Sequence, residues 1–461
     1  MSEFPHLPYT LRDGVETETR LLTYLKKSES FSFLEADLRE EVCNIPEPTV
    51  EDPQRHQESL LELWPRILTA ALLRLKKNDL RECDPHKPDL LTFFHSESLG
   101  IQELREILDA FSEFEGLLYG ASPDRYRDHI MHSFRVWIVG HAILTELLAG
   151  ELSTGEDAGL QISGEEWQCM WALVALCHDI GYPLGAIEKI NGRARDTFRK
   201  LGLVPSGDLR FAFQQQMLPF HDTIIRLIAS KPVKARCDCY QLWKPAEGSS
   251  NADSALQGAY LTHLQNKYYL KLLKSFDRLD HGIVSSLLMS RSLVYFLESD
   301  FSHDGWKALG YEDCRQFLIR REILRAVASH TCPDIYHLCF NTLSFLLYIA
   351  DEMQCWGRPT FEELQHKPSC FGDAHVTLRE FSKDCVSLEI CMGDTWDQDQ
   401  QEAVGRQVSR LRRMIRLAVD TPHLANHRLH FRIFNSGGQE CRLDLEDGRI
   451  QKRPAQPLSS M

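Results

Sequence analysis

The chain has no apolar run that approaches the roughly 20 residues a membrane-spanning helix requires. Its longest apolar stretches, around residues 343–350 and 136–149, are too short or too interrupted. The start, Met1-Ser-Glu-Phe-Pro-His6, lacks the basic residues and apolar segment of a secretory signal. A soluble chain with no membrane partner is expected. Positive charge is also short: 52 Lys and Arg against 66 Asp and Glu give a formal net charge of -14. That balance argues against coating nucleic acid or an anionic membrane, since both need a positive field, while leaving room for a local basic site. Cysteine is present 14 times but without a framework. No CxxC pair and no Cys/His array with zinc-finger spacing occurs, and Cys237-Asp-Cys239, the one close pair, reads as an ordinary loop. Cys169, Cys177, Cys339 and Cys355 sit in apolar or helix-like contexts where free thiols pack as small hydrophobes. A reducing, cytoplasmic compartment follows as the expectation. Internal repeats and long low-complexity segments are absent as well.

What remains is an ordinary globular composition, 43% hydrophobic and 26% charged over 461 residues, enough for two or three domains. Residues 10–42 read as short helices, followed by the Pro-rich acidic connector Ile45–Pro53. Two amphipathic helices follow, one carrying Leu60, Leu63, Trp64, Ile67, Leu68, Leu72 and Leu75, the other Ile101, Leu104, Leu108, Phe111, Phe114 and Leu118. Ser122-Pro-Asp starts a further helix that carries His129 and His132, three residues apart and so able to share a face. After a Gly-rich acidic loop near 150–165, the run Met170-Trp-Ala-Leu-Val-Ala-Leu-Cys177 leads straight into His178-Asp179, with Gly181 and Pro183 ending that helix.

A basic stretch follows (Lys189, Arg193, Arg195, Arg199, Lys200), then an insertion with an exposed loop over about 203–265. Helical patterning returns with Leu279–Leu288, Arg320–His330 and Phe340–Ala350, the last ending in Asp351. Beyond 360 the composition changes. His375–Phe381 and Cys385–Cys391 read as strands, an amphipathic helix carries Val404, Val408, Leu411, Ile415 and Ala418, and His430–Phe434 and Cys441–Leu445 flank the turn Asn435-Ser-Gly-Gly438. The expectation is a ββαββ unit followed by a Pro/Gln/Ser tail.

A carboxylate and an imidazole at the end of a buried apolar run are costly unless something positive holds them. A bound metal ion is the simplest candidate. One His-Asp pair is expected by chance, and three occur: His178-Asp179, His221-Asp222 and His303-Asp304. The first stands apart through its order among other groups: His132, then His178-Asp179, then His281 beside Gly282, then His330, then Asp351 in Ala350-Asp-Glu-Met-Gln354. The other two pairs lie in less apolar surroundings. Each residue taken singly has a plainer reading, as a hydrogen-bonded core histidine or a helix-end charge.

His132-Ser-Phe-Arg-Val136, His178-Asp179, Asp280-His-Gly-Ile-Val-Ser285, Ser329-His330 and Ile349-Ala-Asp351 together resemble, in order, the motifs of the HD superfamily of metal-dependent phosphohydrolases. The resemblance covers about residues 120–360. Tyr182 and Pro183 echo the HD-GYP subgroup by letter only, without its longer signature. It implies a mainly α fold, an HD-domain helical bundle over 120–360 with the insertion at 203–265. Around it stand a helical N-terminal extension over 1–119, the small α+β (ββαββ) unit over 361–450 and the tail over 451–461. It also implies that His132, His178, Asp179 and Asp351 hold one divalent metal ion, with Asp179 bridging to a second held by His281 and His330.

Neutral imidazoles and carboxylates suit Mn, Fe, Mg or Zn, and mixed N/O ligation leaves positions open for water. Two such ions would activate a water for hydrolysis of a nucleotide or cyclic-nucleotide-like phosphate ester, with a nucleotide or another phosphorylated small molecule as substrate and nucleic acid possible but not favoured. His129 either donates from beyond the ligands, acts as an acid near the leaving group, or packs. Arg135, Lys189, Arg193 and Arg358 are the candidate phosphate contacts, against plain surface solvation. The basic set Arg406, Arg410, Arg413 and Arg416 reads as a solvated face. The alternatives are a di-iron oxygenase of HD type, such as inositol oxygenase, and an HD nuclease or non-catalytic nucleotide sensor.

Overall fold

The computed structural model describes residues 21–45 (without 24 and 27–29), 53–83, 99–110, 129–146, 152–203 (without 155–158), 215–234, 260–298, 309–354 (without 336–338) and 374–453 (without 382–384, 393–427, 436 and 447–448). In chain order the helices are α1 (Ala36–Cys43), α2 (Pro53–Cys83), α3 (His129–Glu146), α4 (Gly164–Cys177), α5 (Tyr182–Lys200) and α6 (Leu218–Ala229). After the ribbon β1 (Ser230–Lys234) and β2 (Tyr260–Leu264) come α7 (Asn266–Asp277), α8 (His281–Ser292), α9 (Val294–Leu297), α10 (Tyr311–Ser329) and α11 (Leu343–Met353). Five strands close the series: β3 (Ala374–Phe381), β4 (Cys385–Met392), β5 (Arg428–Phe434), β6 (Glu440–Glu446) and β7 (Arg449–Arg453). Residues 101–110 are also helical. The protein is mainly helical with two small sheets. None of the described helices is long and apolar enough to cross a membrane.

The chain divides into two compact units, one made of 1–64, 114–152 and 333–461, the other of 65–113 and 153–332. The second unit contains α4. Its residues are apolar almost all round, so no face suits water and Trp167 through Cys177 are buried nearly without exception. The helix starts on a capping box: Ser163 Oγ accepts from the Glu166 N–H (3.2 Å) while the Ser163 N–H donates to Glu166 Oε2 (2.8 Å). The stretch leading into the apolar run is thus a specific helix start where the sequence reads as a loop. Glu166 is itself buried and takes a hydrogen bond from Arg315 on α10 (2.6 Å).

α10 packs against α4, α6 and α8, and its arginines tie down the neighbouring chain. Arg325 donates to the carbonyls of Ile228 (2.9 Å) and Ser230 (3.1 Å), and Arg321 donates to the Ser230 carbonyl (3.0 Å). These bonds satisfy oxygens where α6 runs into β1. The described parts of the expected insertion hold α6 and an antiparallel β1–β2 ribbon, and residues 235–259, with Cys237 and Cys239, lie outside the described residues. Pro183 is corrected, since α4 ends at Cys177 and Pro183 sits in the first turn of α5, where a missing N–H costs nothing.

The first unit packs α3 against α11. It also holds a five-stranded sheet of order β3-β4-β5-β6-β7, antiparallel except for the parallel β4–β5 pair. Alternate residues Val386, Leu388 and Ile390 on β4, Leu429, Phe431 and Ile433 on β5, and Leu443 on β6 are buried, as period-two patterning demands. β7 corrects the expected tail boundary, because residues 451–453 are paired strand. The helix expected over 404–418, its arginines 406, 410, 413 and 416, and residues 454–461 lie outside the described residues.

Candidate metal centre

Helix ends present the candidate ligands. His178 is the C-cap of α4 and His330 the C-cap of α10, and each Nδ1–H donates to the carbonyl three residues back in its own helix: Ala175 (2.8 Å) and Val327 (2.6 Å). Those carbonyls are among the ones a helix end leaves without an intrahelical partner. The bond also fixes the tautomer. With the proton on Nδ1, a neutral imidazole carries a lone pair on Nε2.

Both Nε2 atoms face Asp179, in the turn just after α4. His178 Nε2 lies 3.4 Å from Asp179 Oδ2, and His330 Nε2 lies 3.5 Å from Oδ1. His281, the first residue of α8, brings its Nε2 to 3.1 Å from Oδ1. Three imidazoles therefore converge on one carboxylate that is 3% exposed. The rings pack edge-on, His178 to His330 at 5.2 Å and His281 to His330 at 5.1 Å between centroids.

Two glycines permit this approach. A Cβ on Gly181 would lie 2.7 Å from the His281 carbonyl oxygen, and one on Gly282 would lie 2.5 Å from the Val327 oxygen and 2.9 Å from His330 Nδ1. Two hydroxyls fix it: Ser285 Oγ accepts from the Gly181 N–H (2.9 Å) and Thr331 Oγ1 from the Gly282 N–H (3.0 Å).

The electrostatics fit a cation. Burial pushes the Asp179 carboxyl upward, yet the His178 and His281 imidazoles outweigh it and hold the group well below the ordinary carboxylate range. His330 moves down, chiefly through burial, while the facing Asp179 carboxylate pulls the other way and His281 and His178 add to the fall. With its Nδ1 proton given to Val327, the neutral form of His330 turns the Nε2 lone pair toward Asp179, an arrangement that a shared cation suits. Donor atoms of His178, Asp179 and His330 all lie within 4.8 Å of one another, close enough for one ion to reach them.

In the first unit α3 and α11 form a related pair. His132 Nδ1–H donates to Gln354 Oε1 (2.6 Å), and His132 Nε2 lies 3.1 Å from Asp351 Oδ1. Asp351 and Gln354 are three residues apart at the end of α11, so both reach one ring. His129, His132 and Arg135 recur every third residue along α3 and all three are buried. Arg135 is therefore not a solvated surface residue. Lys189 and Arg193 lie on α5, and Arg358 falls outside the described residues.

Among the look-alike pairs, His221 packs between the Phe220 and Phe276 rings (5.9 and 5.4 Å), while Asp222 bonds Arg226 (2.7 Å) and the Tyr269 hydroxyl. The two side chains of that pair have separate partners. His303 and Asp304 lie outside the described residues. Sequence reasoning missed Gln354, Ser285 and Thr331, and it left Tyr182 as a coincidence of letters, whereas its ring stands 5.4 Å from that of His281. Comparison with protein-family models, with curated proteins and with solved structures finds no match.

Proposed function

We propose that this protein is a metal-dependent phosphohydrolase of HD type, acting on a nucleotide or cyclic-nucleotide-like phosphate ester in the cytoplasm. The observation that carries the reading is the buried Asp179 carboxylate facing three imidazole Nε2 atoms. In this proposal His132, His178, Asp179 and Asp351 hold one divalent ion, and Asp179, His281 and His330 hold a second. The family resemblance supplies the six-residue set and its division between two ions. The geometry within each unit supports the residues as ligands, because His132, His178 and His330 each have Nδ1 tied to a neutral carbonyl and Nε2 turned to a carboxylate.

When bound, such ions supply a water of lowered pKa and neutralise charge on phosphate oxygens. The chain's own groups do the rest. Asp179 stays ionised and holds the set together, and Arg135, Lys189, Arg193 and Arg358 orient the phosphate. As the bond from water oxygen to phosphorus forms and the ester P–O bond breaks, His129 gives the leaving oxygen its proton. The test is elemental analysis of the purified chain with a hydrolysis screen over nucleotides and cyclic nucleotides, run beside Asp179→Ala. Bound divalent metal and phosphate-ester cleavage, both lost in the variant, are expected. Oxygen consumption with iron bound and no ester cleavage would replace this reading with the di-iron oxygenase.

A further inference from the structure

Resting on that metal-binding reading, we infer that the turn joining α7 to α8 is a strained, ion-paired presenter of His281, with Leu279 and Asp280 as positioning residues for the second ion. α7 ends at Asp277, and Leu279 adopts φ 53°, the left-handed region that leucine rarely enters. The Leu279 N–H donates to the Phe276 carbonyl (2.9 Å) and the Asp280 N–H to the Ser275 carbonyl (3.0 Å). This is a helix-terminating turn in which glycine ordinarily occupies the left-handed position. Here a half-buried leucine is held there instead.

Asp280 departs from expectation in a second way. It stands at the N-cap of α8, where an aspartate would normally accept a hydrogen bond from that helix's first turn, yet it makes no such bond. Its carboxylate turns back to α7 and accepts from Ser275 Oγ (2.7 Å) and from Arg278 Nη2 (2.8 Å) and Nε (3.2 Å). The N–H of Gly282 in the first turn of α8 donates instead to Thr331, the neighbour of His330, while Ser285 on the same helix receives the Gly181 N–H, two residues after Asp179. The start of α8 is thereby fastened to α7, to the Asp179 turn and to the end of α10.

His281 depends on this frame most. His178 and His330 are anchored through Nδ1 to their own helices. His281, whose side chain is 28% exposed, has no Nδ1 bond among the described residues; its ring meets Asp179, Tyr182 and His330, and the turn sets the backbone from which it reaches them. Strain kept next to a candidate ligand, where glycine would remove it, is what a positioning role predicts.

The experiment is a titration of the full-length, metal-stripped chain with cobalt(II), followed by calorimetry and by the visible cobalt bands, alongside thermal melting. Leu279→Gly is expected to keep or raise the melting midpoint of the metal-free chain, yet to weaken one of the two ions by roughly 10–100-fold and alter its bands. Leu279→Met should bind as the wild type does. Asp280→Asn, which leaves the backbone preference alone, should produce the same selective loss whether or not Leu279→Gly folds. Wild-type affinity for both ions in Leu279→Gly and Asp280→Asn would overturn the inference while leaving the metal centre standing. A wild-type chain that takes up no cobalt would overturn both.

Discussion

At the scale of single residues, orientation matters as much as identity. Order along the chain was enough to single out His132, His178, Asp179, His281, His330 and Asp351. Periodicity could not show that His178 and His330 cap their helices and donate Nδ1–H to Ala175 and Val327, because that depends on where each helix stops. Gln354 was equally hidden, since a glutamine three residues after an aspartate has no chemistry until a ring is placed against it. Gln354→Ala removes the acceptor that orients His132. Metal affinity should fall about 10–100-fold while the fold is kept, as read by calorimetry and far-UV circular dichroism.

A second residue-scale prediction concerns His141 on α3. It is buried and accepts the N–H of Phe31 on Nε2 (3.2 Å), and Phe31 is itself held at φ 60°. Burial lowers the imidazole from 6.5 to about 3. The unfolded chain therefore takes up a proton that the folded chain refuses. The His141 contribution is fully present above pH 6.5 and is lost progressively as pH falls toward 3. Urea unfolding midpoints at pH 7 and pH 5 should separate less in His141→Gln, which can still accept the Phe31 N–H but does not titrate. An equal separation in the two proteins would remove His141 as the cause.

At the scale of elements, the helices carrying the candidate ligands were legible because α4, α8, α10 and α11 are long apolar or amphipathic runs. The pieces that join and brace them were not. Ser163-Gly-Glu-Glu166 has loop composition but forms a capping box, and Glu166 then runs inward to Arg315. Such a pair is invisible to a hydrophobic pattern, which assigns charges to the surface. Removing one partner leaves the other charge buried, so Glu166→Ala should cost about 3–5 kcal/mol, and Glu166→Leu with Arg315→Met should recover much of that loss. Denaturant unfolding of the two variants checks it, and equal losses would contradict it.

At the scale of the whole molecule, the mixed helical and sheet composition was readable from the change of pattern near residue 360. The sheet was only partly so: hairpin signals marked β3–β4 and β5–β6, while β7, rich in Arg, Lys and Gln, has a tail's composition and is strand because β6 pairs with it. The discontinuous make-up of the two compact units lay beyond local patterning, since it depends on which distant segments pack together. The functional reading rests on the same long-range convergence, three histidines from separate helix ends meeting at Asp179. Its most direct test is the divalent metal content of the purified chain, measured by elemental analysis for wild type and Asp179→Ala. The account predicts about two ions per chain in the wild type and loss of binding in the variant. Equal metal content in the two proteins, or a metal-free wild type with undiminished hydrolytic activity, would contradict it.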